Sequence, residues 1–162
     1  MVTVTTRITE GFMRQREQFA SLGIAVGADG PSGLEVNVIF TTDEGTLAAL
    51  KTANSLARRL GTRIRLLAPQ PVPWVLPLTH PPVSIEFLKR RLLNMARQCE
   101  DAIEVHAELL LCRDRTQCLS QALRHNSLVV VGGKKHWWAT REARLAQVLS
   151  SKGHHVIFAE SR

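Results

Sequence analysis

The sequence predicts an α/β fold, a doubly wound parallel sheet of five strands with helices on both faces. Three observations predict it. From Glu35 onward, short β-branched runs alternate with segments of helical period, the signature of βαβ units. SLVVVG (127–132) is apolar throughout, as a central parallel strand buried on both faces should be. Glycine or proline punctuates the ends of several periodic segments.

EVNVIFTT (35–42) reads as the first strand. Asp43 is placed to cap a helix whose Leu47, Leu50, Ala53, Ala57 and Leu60 form one apolar stripe. Gly61 stands where a C-terminal glycine ends such a helix. TRIRLLAP (62–69) reads as the second strand. Six of the seven prolines then crowd into PQPVPWVLPLTHPP (69–82), which excludes a regular helix or central strand and predicts a stiff connection. Ser84 is a candidate cap for a second helix with Leu88, Leu92, Met95 and Cys99 at core spacing.

IEVHAELLLC (103–112) reads as the third strand, and Asp114 with Gln117 gives capping-box spacing for a short third helix. After the fourth strand, Thr140 can cap the last helix, with Leu145, Val148 and Leu149 turned inward. HVIFAE (155–160) is the fifth strand. Residues 1–34 do not fit this unit. Ile8, Phe12, Phe19 and Leu22 suggest a weak amphipathic helix, and GADGPSG (27–33) is linker chemistry. The expected organisation is a peripheral, partly mobile extension over 1–34, able to pair with another subunit, and one domain over 35–162.

At 162 residues the chain suits a single domain with a real core. No apolar run approaches the roughly 18 to 20 residues of a membrane span. The N-terminus lacks a charged leader followed by a long apolar block, so a cytoplasmic protein is expected. Cys99, Cys112 and Cys118 are odd in number without CxxC spacing, which reads as reduced thiols rather than a zinc site or disulfide framework. The formal charge is +7, and residues 132–162 hold over half of the excess. That invites an anionic ligand, but no recognised nucleic-acid module accompanies it.

VVVGGKKHWWATREARL (129–145) carries the strongest functional signal. Strand, glycine turn and helix is how an open α/β sheet offers backbone N–H groups and a helix N-terminus to an anion. Walker, GxGxxG and GxSxG patterns are missing, and His154-His155 should face opposite sides of a strand. No catalytic constellation emerges, so the reading leans away from an enzyme.

Over about residues 35–160 the chain resembles the universal stress protein family, within the larger nucleotide-binding α/β group (adenine nucleotide alpha hydrolase-like). NVIFTTDEGTLAALKTANSLARRLGTRIRLLAP (37–69), SLVVVGG (127–133) and VLSSKGHHVIFAE (148–160) carry the resemblance. It implies strand order 3-2-1-4-5, with a crevice between strands one and four at the topological switch point. Thr41, Thr42 and Asp43 would face Gly132 and Gly133 across it, with Lys134, Lys135 and Thr140 supplying charge and a hydroxyl. The implied cofactor is ATP or another adenine nucleotide.

ATP-binding relatives carry a later glycine followed by serine or threonine. Here Glu142 and Ala143 stand near those positions, so the motif is degenerate. Trp137 and Trp138 would stack on a base, plug the adenine pocket, or pack against the proline loop bearing Trp74. The resemblance also implies a homodimer through residues 155–160. The expected function is a regulatory or binding module of this type. The alternatives are an ATP/AMP-binding switch with weak hydrolase activity, and a basic nucleic-acid-binding protein.

Overall fold

In the computed structural model the structure describes residues 1–9, 34–99, 101–134 and 140–162. Among the described residues, six strands and four helices follow in the order β1 (Val2–Ile8), β2 (Glu35–Ile39), α1 (Asp43–Leu60), β3 (Arg63–Pro71), α2 (Ile85–Ala96), β4 (Val105–Cys112), α3 (Arg115–Ala122), β5 (Leu128–Lys134), α4 (Arg141–Ser151) and β6 (His155–Ser161). All strand pairs are parallel, and the sheet order is β1-β4-β3-β2-β5-β6.

The expected five-stranded sheet in order 3-2-1-4-5 is therefore corrected to six strands. β4-β3-β2-β5-β6 follow one another as neighbours, and β1 extends the sheet beyond β4. VTVTTRI is rich in β-branched residues and lies in register with Val105–Leu111, from Val2 opposite Val105 to Ile8 opposite Leu111. Its threonines take the positions a more apolar strand would fill, which is why hydrophobic periodicity passes over it. Ile8, read above with a helical stripe, is a core strand residue. The remainder of that stripe and the linker 27–33 lie outside the described residues.

β3 also runs further than expected, through Pro69 and Pro71. The reason lies in strand parity. Phe40 N–H donates to the Leu67 carbonyl at 2.8 Å, so Leu67, Pro69 and Pro71 turn their backbone polar groups toward β2. β2 ends at Ile39, opposite Leu67, so no ladder donor is lost where the prolines stand. Val72 N–H, of opposite parity, donates to the Cys112 carbonyl at 2.7 Å.

Side chains alternate between two cores. Val36, Val38, Ile64, Leu66, Val105, Ala107 and Leu109 meet α1 and α2 on one face. Ile39, Leu67, Leu110, Val129 and Val131 meet α3 and α4 on the other. α1 buries Gly45, Thr46, Ala49, Leu50, Ala53 and Ala57. Leu60, expected in its apolar stripe, is 48% exposed. Small residues on the buried side let α1 approach the sheet closely. Gly61 ends it in the left-handed conformation at φ 61°, as a C′ glycine should.

Where β1, β4 and β3 adjoin, the second face also carries a charged cluster. Glu108 accepts from Arg65 Nε at 2.6 Å and Nη2 at 3.1 Å, with Arg7 Nη1 at 3.6 Å and His106 Nε2 at 3.7 Å. Burial raises the Glu108 carboxyl, but Arg65, Arg7 and His106 outweigh it and hold it below the usual range. Among the described residues no helix is long and apolar enough to cross a membrane.

Candidate functional site

β2 and β5 are neighbours whose following helices lie on opposite faces, so their C-terminal ends form the switch point. Thr41, Thr42 and Asp43 follow β2, Gly132 to Lys134 close β5, and Thr140 precedes α4. Lys135, Trp137 and Trp138 lie outside the described residues.

The hydroxyls are all engaged. Thr41 Oγ1 donates to the Gly132 carbonyl at 2.7 Å, and Thr41 N–H donates to Thr46 Oγ1 at 3.0 Å. Thr42, rather than Asp43, is the N-cap of α1: its Oγ1 accepts from Gly45 N–H at 3.1 Å. Asp43 opens the helix, where its charge still suits the dipole. Thr140 caps α4 as expected, accepting from Ala143 N–H at 3.1 Å. Ser84, by contrast, makes no side-chain cap bond.

The charges are matched as well. Asp43 accepts from Arg91 Nε at 2.9 Å, while the guanidinium lies 4.9 Å from the Phe40 ring centroid. Lys134 Nζ lies 3.1 Å from Glu44 Oε2. Both pairs are substantially exposed, so each adds little stability and a competing ion could displace it. Beneath Arg91 lies a cavity of about 40 Å³ lined by Phe40, Ala68, Pro69, Leu88, Leu92 and Leu109. That is room for a water or two, not for a purine.

The two glycines are less negotiable. A Cβ on Gly132 would stand 1.7 Å from the Gly45 carbonyl oxygen, so this residue is where α1 touches β5 backbone to backbone. A Cβ on Gly133 would stand 2.8 Å from Glu142 Cβ and 3.2 Å from Phe158 Cζ. The stem of Glu142 thus lies over Gly133.

Sequence reasoning missed Gly45, Glu44, Arg91 and Arg115. A glycine inside the first turn of a helix was a usable signal for close approach. Arg115 follows the α3 cap Asp114, which accepts from Gln117 N–H at 2.7 Å. Its Nη2 donates to the Phe40 carbonyl at 2.7 Å. Burial draws this guanidinium below its ordinary range, partly opposed by the nearby Glu142 charge, and Arg141 adds a second cation. Arg115 Nε is buried without a hydrogen-bond partner among the described residues. Arg113 Nη1 donates to the carbonyls of Val72, Pro73 and Leu76 at 3.0, 2.6 and 2.9 Å, and its guanidinium lies 4.8 Å from the Trp74 ring centroid. It clips the proline loop to the end of β4.

The fold, though not the site, has a counterpart among solved structures. With a TM-score of 0.53 and 13% identity, the chain is similar to a universal stress protein solved in complex with cAMP; the match covers 80% of this chain and 98% of that one. The fold is universal-stress-protein-like. No protein-family model matches the chain, and no curated protein matches it by sequence. Among the described residues, no group of three or more His, Cys, Asp or Glu side chains could hold a metal ion. His154 Nδ1 instead accepts from Ser127 N–H at 3.3 Å, while His155 is exposed.

Proposed function

We propose that this protein is a regulatory binding module of universal-stress-protein type, acting as a homodimer through β6, whose ancestral nucleotide site its own side chains have refilled. The observation that carries the reading is Glu142 seated on Gly133. A triphosphate needs bare glycine backbone and positive potential at this point. Here it would meet a carboxylate stem in the first turn of α4, where that carboxylate already complements the helix dipole. Thr41, Thr42 and Thr140 spend their hydroxyls internally, and Asp43 and Lys134 have ionic partners.

Titration calorimetry with ATP, with and without magnesium, tests this. The expected result is affinity weaker than about 100 μM, roughly −5.5 kcal/mol. Glu142→Gln keeps the stem and removes the charge, and should improve any residual binding about threefold, the scale of one charge at a helix terminus. Micromolar ATP binding by the native chain would overturn the proposal.

A second reading has one observation in its favour. The buried Nε of Arg115, unpartnered among the described residues and near Arg141, suits a smaller anion, such as the single phosphate of AMP or a cyclic nucleotide. The similar solved structure was obtained with cAMP. Saturable binding of AMP or cAMP that is lost in Arg115→Gln, with ATP still inert, would favour this reading over the first.

A further inference from the structure

At the end of the sheet opposite the switch point, where the strands begin, three turns carry basic side chains. The α1–β3 turn is tied to the start of β2: Thr62 Oγ1 donates to the Leu34 carbonyl, and Arg63 Nε donates to Glu35 Oε1 at 2.8 Å. The α3–β5 and α4–β6 turns are bonded to each other. Ser127 N–H donates to His154 Nδ1 at 3.3 Å, His155 N–H donates to the Ser127 carbonyl at 2.9 Å, and Lys152 Nζ donates to Ser120 Oγ at 2.5 Å. Val36, Leu128 and His155 stand in register, so the three turns line one end of β3-β2-β5-β6.

Arg58, Arg59, Arg124 and Lys152 on these turns are all exposed, as are His125 and His155. Residues 51–64, 119–130 and 148–157 contain no Asp or Glu. Among the described residues, the acids at this end are Glu35, held by Arg63, and Asp101 and Glu104 on the α2–β4 connection, across β3. Cations at helix C-termini complement the dipole, but here they exceed it. The ends of α1, α3 and α4 offer about −0.5 charge each, against four full positive charges. Burial, with His125 and Lys152 nearby, lowers the His154 imidazole, so the ring is neutral at pH 7 and adds a hydrogen-bonding group rather than a charge.

We propose that this end of the sheet docks the phosphate backbone of duplex nucleic acid, without reading bases. Four cations spread over three turns suit several spaced phosphates, whereas one small anion would need them converged on a point. The apolar lining excludes the other polyanions. A bilayer calls for interfacial aromatic anchors, and Trp74 and Phe87 lie on or beyond the proline loop at the other end of the sheet. Leu34 and Leu60 are the large apolar residues exposed here. Single strands gain from stacking on aromatic platforms, and these three turns carry neither Trp nor Phe. What remains is charge displayed toward a regular backbone.

Fluorescence anisotropy of the full chain with a labelled duplex DNA of mixed sequence tests this. The expected Kd is on the order of 10 μM at about 50 mM salt, weakening roughly 40-fold by about 200 mM, as three phosphate contacts require. Arg59→Gln, Arg124→Gln and Lys152→Gln should each lower the salt slope by about one, with circular dichroism unchanged. Arg90→Gln removes the same charge from an exposed position on α2 and should leave affinity and slope as they were. No anisotropy change at about 50 mM salt would overturn the proposal. So would a slope that survives the triple variant, an equal loss in Arg90→Gln, or tighter binding of a single strand of the same length. Polyglutamate bound as tightly as the duplex would also overturn it, because the surface would then not select phosphate.

Discussion

Gly45 and Gly132 meet backbone to backbone, and a Cβ on Gly132 would stand 1.7 Å from the Gly45 carbonyl oxygen. That carbonyl belongs to a helix and cannot swing aside. Gly132→Ala should therefore cost about 3 kcal/mol, at the upper end of ordinary overpacking, read as a lowered midpoint in urea unfolding. One consequence reaches function: a ligand lost in a Gly132 variant says nothing about phosphate contact, because α1 has moved first. A Gly132→Ala protein as stable as the native one would remove this explanation of the glycine.

Gly133 offers a cleaner probe. Its added methyl would meet Glu142 Cβ at 2.8 Å and Cγ at 3.0 Å, side-chain atoms that substitution can delete. Gly133→Ala should cost about 2 kcal/mol. Glu142→Gly alone should cost up to about 1 kcal/mol through helix propensity. The double variant should be more stable than the sum of these losses predicts. A double-mutant cycle with coupling below about 0.5 kcal/mol would mean that Glu142 does not cover Gly133 in solution.

Glu108 sits 7% exposed under the Arg65 fork, and the depressed folded-state value of its carboxyl ties stability to pH. A carboxylate depressed in the fold contributes stability above its unfolded value, near 4.3, and that contribution disappears as pH falls through the folded value. Glu108→Gln leaves Arg65 without its counter-charge and should cost about 3 kcal/mol at neutral pH. Unfolding curves of the native protein and the variant should converge as the medium is acidified below pH 4. A gap that stays constant down to pH 2 would assign the loss to packing instead.

The division between what the chain reveals and what it hides follows from the range of each interaction. Helical stripes such as Leu88, Leu92 and Met95, and the apolar run Val129–Val131, depend on local period and were legible. So was the arrival of Gly132 and Gly133 at the switch point. β1 was not, because an edge strand needs little hydrocarbon and Thr3, Thr5 and Thr6 fill its pattern. The pairs Asp43–Arg91 and Lys134–Glu44 join residues from different elements, and the spacing of neither pair could announce a partner.

Arg113 predicts the behaviour of the proline loop. Three carbonyls, of Val72, Pro73 and Leu76, depend on one guanidinium nitrogen. Arg113→Ala should lower stability by about 2 kcal/mol, since partly buried acceptors lose a charged donor. The same change should speed chymotryptic cleavage after Trp74, which is already 80% exposed and held by the stacked guanidinium. Unchanged cleavage would show that the prolines alone hold the loop.

The outer edge of β6 is where the proposed homodimer can be tested. His155 N–H donates to the Ser127 carbonyl at 2.9 Å, so by strand parity Ile157 and Ala159 also turn toward β5, while Val156 and Phe158 turn their N–H groups outward. An open, largely apolar edge of this kind is a template for pairing with a second chain. The proposed homodimer places two β6 strands side by side, so light scattering at micromolar concentration should report twice the monomer mass. Val156→Pro removes one outward donor and leaves the β5 ladder intact. It should shift the protein toward monomer with circular dichroism unchanged. A native chain that scatters as a monomer would refute pairing through β6, and a Val156→Pro protein that stays dimeric would move the interface elsewhere.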